Sequence, residues 1–279
     1  GTTGCPLAAT VSQSYRVLLL ERGGVPLGKS NLMRQNGFLS TLNDILGGSS
    51  AINAGFYSRA GQAFFRESGV DRDLNVVNQS YEWVEKAIVY RPDLRNWQSA
   101  HVVGTKIGGS TFDSSGRRHS AADLLNYANA VNIQVAVYAS VERILLASTS
   151  QYPRSRVSAI GVVYREVMLS AGAIGSPQLL LLSGIGPRSY LSSMGIPVAY
   201  HLPYVGQYLY DNPRNGISIV TPTPLEHSLI QVVGISEVGA YLEAASTVIP
   251  FASPAQVATL MEEIVGLLSI GSLRLVSTD

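Results

Sequence analysis

The run Gly172-Ala-Ile-Gly175-Ser176-Pro177-Gln-Leu-Leu-Leu-Leu-Ser183-Gly184-Ile-Gly186 constrains this chain more than any other stretch. Val167–Ala171, just before it, is short and apolar and reads as a strand, and Gly172 lets the strand end turn with no Cβ to clash. Ser176 reads as the cap of the next helix, with Pro177 at its first position, where a missing N–H costs nothing. The four leucines would bury that helix on all sides, and Ser183-Gly184 would end it in a left-handed C-cap. A strand-turn-helix bounded by glycines belongs to dinucleotide-binding α/β proteins, where backbone must approach a cofactor closely. An ordinary βα connection explains two such glycines, not four with Ser-Pro between them.

The N-terminus carries part of a second such unit. Gly1-Thr2-Thr3-Gly4 opens onto a helix-compatible stretch with Pro6 in its first turn, and Tyr15–Leu20 is an apolar strand ending in Glu21-Arg22-Gly23. In the Rossmann fingerprint, strand, G-x-G-x-x-G, helix and second strand are followed by an acid about 20 residues on. Gly1 and Gly4 match its second and third glycines, and Glu21 stands where the ribose-binding acid belongs. Gly1 would admit a pyrophosphate, Gly4 would pack the helix on the sheet, and the N–H groups near Thr2 and Thr3 would face the phosphates. A third glycine site follows at Leu46-Gly47-Gly48-Ser49-Ser50, where either serine could cap an apolar helical stretch running to about Phe65. Asn53 lies one turn beyond Ser49, on the same face.

The 279 residues suffice for one large or two modest domains. With 46% apolar and 14% charged residues the chain is globular, and a net charge of +1 gives no electrostatic case for nucleic acid or an anionic membrane. No apolar run reaches the length of a membrane span. The single cysteine, Cys5, excludes an internal disulfide and reads as a small buried helix residue. HExxH, CxxC, GxSxG and P-loop patterns are missing, so no metal site is assigned. No targeting leader is visible at the N-terminus, while Asn78-Gln79-Ser80 is a glycosylation sequon.

Together the three glycine-bounded helix starts resemble the glucose–methanol–choline (GMC) family of FAD-dependent oxidoreductases. Gly172–Gly186 satisfies the second signature of that family, and Leu46–Gly55 looks like the core of the first. Within it, Asn53-Ala-Gly-Phe-Tyr-Ser-Arg59-Ala, Tyr81-Glu-Trp83-Val-Glu85, Ser110-Thr-Phe-Asp113, Arg118-His119-Ser-Ala-Ala-Asp123-Leu-Leu and Ala139-Ser-Val141-Glu resemble plant mandelonitrile (hydroxynitrile) lyases and their relatives. The resemblance implies an α/β fold: a Rossmann-like FAD-binding domain over residues 1–215 with an accessory β-meander, then the start of an α+β substrate domain with an antiparallel sheet over 216–279. It implies FAD as cofactor, held by Gly1, Thr2, Thr3, Gly4, Glu21, Arg22, Ile45, Ser49, Asn53, Ala54, Gly55, Phe56 and Val141. Val141 would touch the adenine from the strand pair 133–139 and 141–146.

The implied reaction is cleavage of a cyanohydrin to aldehyde and HCN with a structural flavin, or else oxidation of an alcohol. The resemblance also implies a small-molecule partner and, with the Asn78 sequon, a secreted or vacuolar location. By the same resemblance, either reaction would use a histidine base from the C-terminal part of the family, since a proton must leave the hydroxyl near neutral pH. Of His101, His119, His201 and His227 none stands in that context. His119 reads as a capping or surface residue, so no catalytic residue is assigned. The resemblance further implies a first strand before residue 1, the base-bearing part after Asp279, and omissions between Glu21 and Gly47 and near Ser99–His101. On that basis the 279 residues alone are expected to be an inactive remnant of weak FAD affinity. Two further departures stand out: Asn43-Asp44 replace the usual Gly-Arg of the first signature, and no cysteine occupies Gly239–Ala244, where the lyases carry one.

Overall fold

The computed structural model of the chain describes residues 1–26, 45–69, 72–92, 104–148, 157–159, 166–223, 230, 232–236, 240–246, 257–264 and 269–278. Asn43-Asp44, His101, His227 and Gly239 lie outside them.

Helix α1 (Gly4–Val11) buries its small residues Cys5, Ala8 and Ala9. It leads into β1 (Val17–Leu20), which pairs in parallel with β5 (Ile133–Ala136), Val17 opposite Ile133 and Leu20 opposite Ala136. Between them come a 3-10 turn (Gly48–Ala51), β2 (Phe56–Tyr57), α2 (Gln62–Glu67), α3 (Leu74–Ile88), β3 (Thr105–Ile107), β4 (Gly109–Ser110) and a second 3-10 segment (Ala121–Tyr127). Asp73 starts α3 by accepting the Asn75 N–H at 2.8 Å. The core of this half joins Cys5, Leu46, Ile88, Ala121 and Leu124, flanked by Leu19, Trp83 and Val84. A parallel pair with a helix packed on it is the geometry that a strand–helix–strand alternation builds.

Further on lie the hairpin β6–β7 (Leu146–Ser148, Val157–Ala159), α4 (Gly172–Leu182), β8 (Ile185–Gly186), α5 (Arg188–Ser193) and β9 (Tyr200–His201). Several expectations change here. Residues 167–171 join no ladder among the described residues, and Ala171 already bends toward the helix. α4 starts at Gly172, whose φ of +86° turns the chain straight into the helix. Pro177 is therefore inside the helix, where it forgoes the bond to the Ala173 carbonyl, and Ser176 Oγ accepts the Ala171 N–H at 3.1 Å instead of capping. Only Leu181 of the four leucines is buried, so the helix packs by one face. Gly184, at φ +77°, ends it as expected. The strands 133–139 and 141–146 do not pair with each other, because β5 pairs with β1 and β6 with β7.

The C-terminal part is a five-stranded antiparallel sheet of β10 (Arg214–Val220), β13 (Val257–Ile264), β12 (Ala240–Ser246), β11 (Val232–Ile235) and β3, in that order. Three residues from far upstream thus complete it. Its register aligns Val233, Glu243 and Met261 across three strands. Val233 and Met261 pack with Ile230, Ile235 and Tyr241 against Ala54 and Phe56, which fixes the sheet against the first half of the chain.

Candidate functional site

Three glycine-bearing segments meet at the start of α1. A Cβ on Gly48, where φ is +60°, would lie 2.8 Å from the Thr2 nitrogen and 2.9 Å from Gly1 Cα. One on Gly1 would lie 2.9 Å from the Ser170 carbonyl oxygen, and one on Gly4 3.3 Å from Ser170 Cβ. The Thr2 hydroxyl ties two of these segments: it donates to the Gly47 carbonyl at 3.1 Å, accepts from the Ser50 N–H at 3.1 Å and lies 3.2 Å from Ser49 Oγ. Sequence placed each segment at a cofactor, and the structure brings them together.

The donors at this junction are open. Thr3 occupies the N-cap of α1 without a side-chain capping bond, and Thr2 and Thr3 are exposed. An uncapped helix N-terminus presents N–H groups and partial positive charge. Glu21 sits at the end of β1, 9% exposed, its Oε1 accepting the Gly23 N–H at 3.1 Å and its Oε2 3.2 Å from the Gly1 nitrogen. Each carboxylate oxygen keeps a lone pair beyond those bonds. Arg22 is exposed beside it. Residues 138 and 139 continue the β1 edge, Tyr138 N–H to the Gly23 carbonyl and Ala139 N–H to the Glu21 carbonyl, both at 2.9 Å. Val141 follows in a loop, 39% exposed. Ile45 forms a parallel bridge with Gly24, three residues past Glu21.

The Gly47–Phe56 segment departs from the single helix expected. Gly47, at φ +96°, caps only a 3-10 turn, no serine side chain caps it, and Gly55 at φ +79° turns the chain into β2. Crowding gives the reason: a Cβ on Gly55 would lie 2.4 Å from the Phe112 ring, and Thr111 N–H closes on the Gly55 carbonyl at 2.8 Å. Ala54 and Phe56 face the five-stranded sheet. Asn53 is exposed, and its Oδ1 accepts from Gly55 N–H at 3.0 Å and from Arg118 Nη1 at 2.9 Å.

Arg118 is the residue that sequence reasoning left out of the site. Its guanidinium also donates to the Asn53 carbonyl at 2.5 Å, approaches the Ser50 carbonyl at 3.5 Å and lies 4.3 Å from the centre of the Phe112 ring. The readable signal next to it was the capping box Ser120-Ala-Ala-Asp123. Ser120 Oγ accepts the Ala122 N–H at 3.2 Å, and Asp123 Oδ2 accepts the Ser120 N–H at 2.7 Å. That start presses against Gly47, and Ser50 Oγ accepts the Ala121 N–H at 2.9 Å.

His119 is not the surface or capping residue expected. Its Nε2 lies 3.1 Å from Asp113 Oδ2 and 3.2 Å from the Tyr90 hydroxyl, and its ring packs 4.9 Å from that of Tyr90. Asp113 is held well below the usual carboxylate range by its bond from the Ser115 hydroxyl and then by His119. His201 is exposed, its Nδ1 accepting the Arg188 N–H at 3.2 Å. Neither described histidine reaches the glycine junction through a hydrogen bond.

Residues 90–214 match the family model described as GMC oxidoreductase. An Arabidopsis thaliana protein named (R)-mandelonitrile lyase-like is 57% identical over 350 aligned positions, which cover 100% of this chain and 63% of the relative. That alignment is longer than the chain, so the relative has segments without a counterpart here. (R)-Mandelonitrile lyase 2 of Prunus dulcis is 40% identical over 100% of this chain and 61% of its own length. Sinalpyl alcohol oxidase Nec3 of Nesocodon mauritianus is 42% identical over 91% of this chain and 56% of its own. The chain thus spans about three fifths of the length of these curated relatives. Among solved structures, pyridoxine 4-oxidase from Mesorbium loti has a TM-score of 0.75 at 19% identity, covering 100% of this chain and 72% of that one. For a formate oxidase of Aspergillus oryzae the values are 0.76, 18%, 100% and 74%. At such identities the two structures establish the fold. With the fold, the family match and the identities in agreement, residues 90–214 form a GMC oxidoreductase domain.

Proposed function

We propose that this chain holds FAD for a reaction at a hydroxyl-bearing carbon, with cyanohydrin cleavage to aldehyde and HCN as the leading activity. The observation that carries the reading is the junction of the uncapped α1 N-terminus, the buried Glu21 carboxylate and the Gly47–Asn53 loop on one rim. Its donor set fits a dinucleotide. N–H groups around Thr2–Gly4 suit a diphosphate, and the Glu21 oxygens suit a ribose diol. Ile45, Ser49 and Asn53–Phe56 are assigned to the flavin end, Arg22 and Val141 to the adenosine end.

When bound, FAD supplies a hydride acceptor for alcohol oxidation, whereas cyanohydrin cleavage is redox-neutral. In the lyase reaction the hydroxyl loses its proton, the C–CN bond breaks with its electron pair leaving on cyanide, and the carbonyl forms as HCN departs. That proton needs a base. His119 is engaged with Asp113 and Tyr90, so the reading gives the described residues the binding role and no proton transfer. The curated lyase relatives favour the lyase reading, and the alcohol oxidase relative keeps oxidation as the second. A secreted or vacuolar location belongs to the same proposal, supported by the exposure of Asn78 on α3; no helix among the described residues is long and apolar enough to cross a membrane.

The test has two stages. The protein titrated with FAD is expected to show a bound-flavin spectrum, at high FAD concentration if affinity is as weak as the sequence implies; a flavin spectrum unchanged by the protein would sink the reading. Mandelonitrile and benzyl alcohol are then offered separately without oxygen. HCN release without bleaching supports the lyase, and bleaching by the alcohol supports the oxidase.

A further inference from the structure

Asn53 is held in a way that decides which end of its amide faces outward. Two groups touch its Oδ1, the Gly55 N–H at 3.0 Å and Arg118 Nη1 at 2.9 Å. Both are obligate donors, since a guanidinium has no acceptor and a backbone N–H only donates. The amide therefore cannot be reversed: its oxygen points inward, and the two N–H donors of Nδ2 point the other way. Those donors have no protein partner among the described residues, and Asn53 is exposed. Arg118 also grips the Asn53 and Ser50 carbonyls, so it fixes backbone and side chain together.

Arg118 itself is unusual. It lies on the Phe112 ring, mostly out of water, with no carboxylate within ion-pair distance among the described residues. Desolvation pulls its guanidinium down to about 10. A buried cation without an anion is destabilising unless something offsets it. Here the offsets are three carbonyl-type oxygens of one short loop.

We infer that Arg118 is a positioning residue, which locks the Asn53 amide with both N–H donors turned toward the bound FAD. This rests on the FAD-binding reading proposed for the same rim.

The test uses the FAD-loaded protein and three variants. Asn53→Asp replaces the two donors by an acceptor, while its carboxylate gains an ion pair with Arg118. The apoprotein is expected to melt at or above the wild-type temperature, yet FAD affinity falls about tenfold or more, as losing a hydrogen bond to a ligand does. The bound-flavin absorbance bands and midpoint potential shift with it. Arg118→Gln frees the amide and is expected to weaken FAD by about tenfold, with the same spectral change. Arg118→Lys, which lacks the two-pronged grip, restores affinity only in part. Wild-type affinity, spectrum and potential in Asn53→Asp would overturn the inference, as would an unchanged Arg118→Gln. Should Arg118→Gln fail to fold, Asn53→Asp alone decides. Failure of the wild type to bind FAD overturns the functional reading instead.

Discussion

Glu243 shows how a single side chain in the sheet sets a pH response. Its side chain is 14% exposed, its Oε2 is buried without a hydrogen bond, and Arg214 Nη2 lies 3.5 Å away while bonding Glu263 at 2.8 Å. Burial raises the Glu243 carboxyl above its ordinary 4.5, against the pull of Arg214 and with a push from Glu263. A carboxyl raised in the folded state contributes stability that is fully present below its unfolded value and is lost as pH rises through the folded value. At neutral pH the charge is therefore unfavourable. Glu243→Gln is expected to raise the melting temperature at pH 7 by about 1–3 °C, a small figure because the pair is partly solvated. The gain should close toward pH 4. A lower midpoint than wild type at pH 7, in thermal scans from pH 4 to 8, would refute it.

Two glycines separate backbone conformation from close packing. Gly48 combines φ +60° with a 2.8 Å approach to Thr2, while Gly172 has φ +86° and open space around its missing Cβ. Gly172→Ala meets only the left-handed penalty of about 1–2 kcal/mol. Gly48→Ala adds a clash between two backbone segments, and its loss in denaturant titration should exceed that of Gly172→Ala by about 1 kcal/mol or more. Equal losses would mean that the junction yields easily. Both glycines were legible as turn positions. Only the structure distinguishes them, because the clash involves a residue 46 positions away in sequence.

At the scale of elements, local signals held where the neighbours agreed with them. The Ser120 capping box shows such agreement in the structure. Two reciprocal bonds start the Ala121–Tyr127 segment, and the same Ser120 hydroxyl sits against Gly47. Ser120→Ala should cost about 1 kcal/mol, within the 0.5–2 range for lost caps, measured by urea unfolding. An unchanged midpoint would show that the cap is redundant. Elsewhere the signal was ambiguous. Ser176-Pro177 looks like a helix start whether the helix begins there or at Gly172, and the positive φ of Gly172 decides. Thr105–Ile107 is too short for any periodicity, so its place in the five-stranded sheet is set by β11 and not by its own residues. α1 and β1 were readable because a helix start with Pro6 and an apolar run ending in Glu21 agree with the parallel pairing they enter.

For the whole molecule, the consequential contacts join residues that are distant in the chain: Gly1 and Thr2 with Gly48, Gly1 and Gly4 with Ser170, Asn53 with Arg118. No periodicity encodes such meetings. The glycines marked the places, resemblance suggested that they share a ligand, and Arg118 escaped because a lone arginine beside a capping box carries no local sign of burial. A ligand seated where three segments meet should act on the stability of all of them at once. A ligand that binds only the folded state adds about 2.7 kcal/mol at one hundred times its dissociation constant. For a chain of this size that corresponds to roughly 5–10 °C in melting temperature. Adding FAD to the apoprotein should give such a shift in a single cooperative transition, with Gly48→Ala losing most of it and Gly172→Ala retaining it. The contrast matters because both variants are destabilised, yet only Gly48 holds the Thr2 segment against the Ser49–Asn53 loop. If the two variants gained equally from FAD, cofactor binding would not depend on that junction, and the seat assigned to the diphosphate would have to move.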